Sequence, residues 1–122
     1  MKIHESAENY LEAIHVLSRK GPVRSIDIVN ELEFTKPSVS VAMKNLRAGG
    51  HIVMDDGGYI TLTESGRAIA ESIYERHTLL SGWLISLGVD EATAVSDACR
   101  MEHDMSEESF RAIKRCITDK KV

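Results

Sequence analysis

The chain has 122 residues, 43% hydrophobic and 28% charged, with a formal net charge of -4. That is an ordinary globular mix, enough for one domain or two very small subdomains with a modest core and no disulfide staples. The acidic balance excludes a polybasic arm and nucleic-acid binding by bulk charge, though not a binder with a local basic face. No run of about 18 apolar residues is present to span a membrane, and Met1-Lys2-Ile3-His4-Glu5 has no apolar signal core. The expectation is a cytoplasmic protein whose two cysteines, Cys99 and Cys116, are thiols or metal ligands rather than a disulfide.

Tyr10, Leu11, Ile14 and Leu17 recur at helical spacing and predict an amphipathic first helix over about 5–19, stopped by Gly21-Pro22. Ser25 reads as the N-cap of a short second helix with Ile28, Val29 and Leu32 inward. After a turn at Glu33-Phe34-Thr35, Thr35 caps a third helix that carries Pro37 in its first turn and Val39, Ala42, Met43 and Leu46 on its core face. Gly49-Gly50 ends it. The period then changes. His51–Met54 and Tyr59–Leu62 are rich in β-formers and flank Asp55-Asp56-Gly57-Gly58, a hairpin turn. Thr63 caps a long helix that keeps its period to Leu87, with Gly88 as terminator. Asp90 caps a fifth helix through about His103, and Ser106 opens a sixth with Phe110, Ile113 and Ile117 inward. The tail from Asp119 is expected to fray.

The fold class is therefore mainly α with a small β-hairpin wing. An N-terminal winged helix-turn-helix (1–63) precedes a helical region (64–122). In such a unit the third helix enters the major groove and the hairpin touches the adjacent backbone. Residues 34–54 contain no acid but carry Lys36, Lys44, Arg47 and His51, a basic window in an acidic protein. The outer side of the third helix presents Lys36, Pro37, Ser38, Ser40, Val41, Lys44 and Arg47. Small hydroxyls allow close approach to base edges, and the cations suit phosphates. Few of these side chains form a bidentate fork, so shape and methyl contacts contribute to readout. The candidate DNA-binding set is Arg24, Thr35, Lys36, Pro37, Ser38, Ser40, Lys44 and Arg47.

A second constellation lies in Cys99-Arg100-Met101-Glu102-His103, where Cys99, Glu102 and His103 at i, i+3 and i+4 share a helix face. One thiolate, one carboxylate and one imidazole suit Fe²⁺, Mn²⁺, Co²⁺, Ni²⁺ or Zn²⁺ rather than Ca²⁺ or Mg²⁺. Read singly, they are a small buried thiol, a solvated acid and a helix C-terminal cation. His77 reads as a core histidine or a further ligand. On the first helix Asn9 and Glu12 share a face, either solvated or ligating, with Glu5, Glu8 and His15 nearby. Leu79, Leu80, Trp83, Leu84, Leu87 and Val89 are too many apolar residues for one thin subdomain, and Leu80, Trp83, Leu84 and Leu87 are the candidates for an interface between protomers. Cys116 is expected as a packed thiol.

Five stretches carry a resemblance over nearly the whole chain: Glu8–Ile14, Pro37-Ser38-Val39-Ser40, Leu62-Thr63-Glu64-Ser65-Gly66, Arg76-His77-Thr78-Leu79-Leu80 and Asp97–Ser106. In these the chain resembles the iron- and manganese-dependent repressors of the diphtheria toxin repressor and manganese transport regulator group. The resemblance implies a homodimer that binds palindromic operators of metal-uptake genes. It also implies a divalent ion, Mn²⁺ or Fe²⁺ (with Co²⁺, Ni²⁺, Zn²⁺ or Cd²⁺ in vitro), bridging the first helix to the dimerisation helices. Cys99, Glu102 and His103 match ligands of the iron-type members, and Glu12 and His77 match ligands of the manganese-type members. Asn9 falls where those groups have Asp or Met, so that ligand is the Asn amide oxygen or is replaced by Glu5 or Glu8. Ser81 and Val95 stand where the ancillary site of the iron-type members has Glu and His, which leaves that site incomplete. The first reading is thus a metal-dependent repressor with operator DNA as partner and no small-molecule substrate. The alternative is a winged-helix regulator answering to a small molecule or partner. An enzyme is disfavoured by the lack of a Gly-rich phosphate loop and of an oxyanion site beside Cys99 and His103.

Overall fold

The computed structural model describes residues 5–119. They fall into two compact units, one up to Ser72 and one from Ile73 onward. The first contains α1 (Glu5–Ser18), β1 (Val23–Arg24), α2 (Ser25–Leu32), α3 (Lys36–Ala48), β2 (Ile52–Met54), β3 (Tyr59–Leu62) and the start of α4 (Glu64–Ser86). The rest of α4, α5 (Glu91–Asp104) and α6 (Glu107–Asp119) make the second. The expected fraying beyond Asp119 lies outside the described residues.

The apolar stripes converge in the first unit. Leu11 and Ile14 of α1, Ile28 of α2, Val39, Met43 and Leu46 of α3, and Ile52 and Ile60 of the sheet form its buried core. The sheet has three antiparallel strands in the order β1-β3-β2, with Val53 opposite Thr61 and Val23 opposite Ile60. Along β3 the side chains alternate, Ile60 buried between the exposed Tyr59 and Thr61, as a strand covered on one face requires. The hairpin turn is tied by Asp55, whose Oδ1 accepts from the amides of Gly57 and Tyr59, each at 2.9 Å.

One expectation, the N-cap of α2, is corrected by the sheet. The strand β1 carries no signal in the sequence, because two residues after Gly21-Pro22 have no period to detect. Its presence keeps Arg24 extended, so Arg24 and not Ser25 is the N-cap of α2. The acid three residues on supplies the cap, Asp27 Oδ2 accepting from the Arg24 amide at 2.9 Å. The first turns of α4 also belong to the winged unit: Ala70 lies in its core with Ile69 against it. The compact units accordingly meet at Ser72/Ile73.

In the second unit Ala94, Ala98 and Glu102, spaced by four, lie buried on one face of α5. Ile73, Arg76 and Leu80 are the buried residues of this part of α4, and Phe110 that of α6. Gly88, at φ +98, takes the left-handed conformation that ends α4. Asp90 then caps α5, its Oδ2 accepting from the Ala92 amide at 3.1 Å. Leu80, one of the interface candidates, is 0% exposed within its own chain, on the buried line of α4 with Ile73 and Arg76. Trp83 and Leu84 are half-buried and Leu87 is exposed. Cys116, expected to be packed, is exposed on α6, one position from the half-buried Ile117.

Candidate metal centre and DNA-facing surface

The last two turns of α5 bring Cys99, Glu102 and His103 together, one donor atom from each lying within 4.8 Å of the others. Helical spacing alone does this, as i, i+3 and i+4 fall on one face. α4 adds a fourth group: His77 Nδ1 stands 2.9 Å from Glu102 Oε2. On the other side His103 Nε2 is 3.4 Å from Glu102 Oε1. Each oxygen of one carboxylate thus faces an imidazole. The Glu102 side chain is 0% exposed and that of His103 1%, whereas Cys99 is exposed. A carboxylate so fully removed from water stays ionised only beside a compensating positive charge.

Donor atoms about one first-row ion, bound at roughly 2.0–2.3 Å, stand about 3–4.5 Å apart. The α5 set is compact enough to close on one ion. Thiolate, carboxylate and imidazole together fit a borderline transition metal and not a hard cation, which would collect oxygens. Ser81 and Val95 are not ligands in this geometry. The Ser81 hydroxyl donates back to the His77 carbonyl at 2.7 Å, and Val95 is an exposed hydrocarbon. In the winged unit Asn9 and Glu12 stand half-buried one turn apart on α1.

The candidate DNA-binding residues lie in the winged unit, most of them on the outer face of α3. Lys36, Pro37, Ser38, Ser40, Val41, Lys44 and Arg47 are all exposed, opposite the buried Val39, Met43 and Leu46. Val41, a large apolar side chain left 59% exposed, is the one that core packing does not account for. Thr35 caps the helix: its Oγ1 accepts from the Ser38 amide at 3.3 Å, and its hydroxyl donates to Ser38 Oγ at 2.8 Å. Arg24 is exposed at the sheet edge with its guanidinium 5.2 Å over the Tyr59 ring centroid. That stacking ties it to the wing.

The residue that sequence reasoning passed over is Arg76. It appeared only as the neighbour of His77, yet it is 8% exposed and makes three hydrogen bonds to α5, its C-terminal flank and α6. No periodicity argument finds it, because a helical Arg is by default a solvated charge.

Residues 63–121 match the family model described as iron dependent repressor, metal binding and dimerisation domain. The chain is 34% identical over 111 residues to the transcriptional regulator MntR of Escherichia coli O6:H1, across 90% of this chain and 72% of that protein. It is 31% identical over 113 residues to an uncharacterized HTH-type transcriptional regulator of Methanocaldococcus jannaschii, across 90% of each. In three dimensions it resembles the manganese regulator SloR with a TM-score of 0.82 over 92% of this chain, at 24% identity. That likeness speaks for the fold, and the chain spans about half the length of that structure, 53%. The two sequence relatives are regulators of transcription, not enzymes.

Proposed function

This chain belongs to the iron-dependent repressor family of metal-dependent transcriptional regulators, and from that premise we propose that it is a homodimeric, cytoplasmic repressor that senses Mn²⁺ or Fe²⁺ and binds palindromic operators of metal-uptake genes. The observation that carries the metal reading is Glu102, a fully buried carboxylate between the imidazoles of His77 and His103 with Cys99 one turn away. When bound, a divalent ion supplies the positive charge that allows a thiolate and a buried carboxylate to be ionised side by side.

His77, Cys99, Glu102 and His103 are the ligands that this reading assigns to α4 and α5. Glu12 and Asn9 add oxygen donors from α1, as the similarity of the Glu8–Ile14 stretch to the family's first helix implies. Without the ion, the acids and the thiol repel one another or take up protons. Ligation lowers the free energy of whichever state gathers them. Turning a mostly inactive population into a mostly active one takes about 5.5 kcal/mol of preference for that state. In the winged unit Lys44, Arg47, Lys36 and Arg24 hold phosphates while Pro37, Ser38 and Ser40 approach base edges.

Operator fragments selected from a random duplex library in the presence of Mn²⁺ provide the test. Shift assays are expected to show binding with Mn²⁺ or Fe²⁺, loss with chelator, and loss in the Cys99→Ala/Glu102→Ala double variant. Equal affinity with and without metal would refute the switch and favour a regulator that answers to another signal.

A further inference from the structure

We propose that Arg76 is a positioning residue for the metal centre: it grips the main chain of Glu102 while its neighbour His77 grips that residue's side chain. This rests on the metal-sensing reading above and adds to it a residue that donates nothing to the ion. Arg76 Nη1 donates to the Glu102 carbonyl oxygen at 3.0 Å and to the Met105 carbonyl oxygen at 2.7 Å. Its Nη2 donates to Glu107 Oε2 at 2.8 Å, and the guanidinium lies 5.1 Å over the Phe110 ring centroid. At the adjacent position of α4, His77 Nδ1 is 2.9 Å from Glu102 Oε2. Two consecutive residues of one helix thus hold one residue of another at both ends.

The place of the grip gives it its importance. Glu102 and His103 lie in the last turn of α5, which ends at Asp104. Terminal carbonyls of a helix have no intrahelical donor, and last turns fray unless something satisfies them. Arg76 satisfies two carbonyls at that end and adds a cation where the helix dipole favours one. Cys99 lies one turn earlier, in the body of the helix, and has no need of the clamp. Arg76 therefore controls where the carboxylate and the imidazole stand relative to the thiol. A lysine cannot replace it, because one ammonium cannot reach both carbonyls and Glu107 in the planar fork that the guanidinium provides.

Cobalt(II) titration of the full chain tests this, read by visible absorption. The near-ultraviolet thiolate band reports Cys99, and the d–d envelope reports the whole ligand set. In Arg76→Met the thiolate band is expected to persist. The d–d envelope at saturation should change, and affinity should fall about tenfold or more, the usual range for an outer-shell partner. Arg76→Lys, the variant to use if the methionine form does not fold, should show the same spectral change with a smaller loss. A purely structural role predicts a lower melting temperature with an unchanged spectrum at saturating cobalt, and that result in either variant overturns the proposal alone. Wild-type protein showing no cobalt bands would instead refute the metal reading, and the proposal with it.

Discussion

A Cβ placed on Gly66 would stand 2.0 Å from the His51 carbonyl oxygen. That oxygen cannot retreat, because it accepts from the Thr63 amide at 3.1 Å and so joins the strand end to the start of α4. Gly66→Ala is therefore expected to cost about 3 kcal/mol, at the upper end for overpacking, as measured by urea unfolding. At Glu107 the effect is electrostatic. The hydrogen bond from Arg76 holds the Glu107 carboxyl below its ordinary value of 4.5, with further help from Arg111. A carboxyl lowered in the folded state contributes stability above its unfolded value, and that contribution is lost as pH falls through the lower folded one. Glu107→Gln should thus melt below wild type at neutral pH, with the gap closing as the solution is acidified below about pH 4. A gap that stays constant across that range would show that the carboxylate charge is not what matters.

Among the helices, α3 shows how local chemistry builds a surface. Thr35 begins it, Pro37 fits its first turn, and Glu33 takes the left-handed turn before it at φ 56. Thr35→Ala removes the acceptor of the Ser38 amide and is expected to lower stability by about 1 kcal/mol, measured on free protein by thermal or chemical unfolding. Caps such as those of Thr35, Asp90 and Ser106 were legible in sequence because they depend on neighbours two or three residues away, whereas that of α2 was misplaced by one residue because β1 holds Arg24 extended. The Cys99, Glu102 and His103 cluster was legible for the same reason, being set by helical spacing. What escaped depends on distant partners. The strand β1 exists only because β3 lies beside it. A helical stripe does not say whether Leu80 or Leu87 meets its own chain, and nothing local to Arg76 announces that three carbonyl and carboxylate groups converge on it.

For the molecule as a whole, the apolar residues left outside are as informative as those within. Leu87 is 62% exposed at the end of α4, with Ile85 at 44% on the same helix and Val95 at 41% on α5. In the proposed homodimer they are material for the interface. Leu87→Glu changes little in the single chain, because exposed substitutions usually shift stability by less than about 0.5 kcal/mol. It is expected to move the protein from dimer to monomer in sedimentation velocity, with unaltered far-ultraviolet circular dichroism. A variant that stays dimeric would remove Leu87 from the interface. Among the described residues, no helix is long and apolar enough to cross a membrane.

The uneven burial of the metal cluster has a kinetic consequence. The carboxylate and one imidazole are sealed, while the Cys99 thiol stands at the surface. In the proposed reading the sulfur is the doorstep of the site, the first donor met on arrival and the last to let go. The sealed ligands set how tightly an ion is held, and the exposed one sets how quickly it is exchanged. Residence time, and with it the speed at which a gene responds to depletion, then rests chiefly on the most exposed donor of the α5 set.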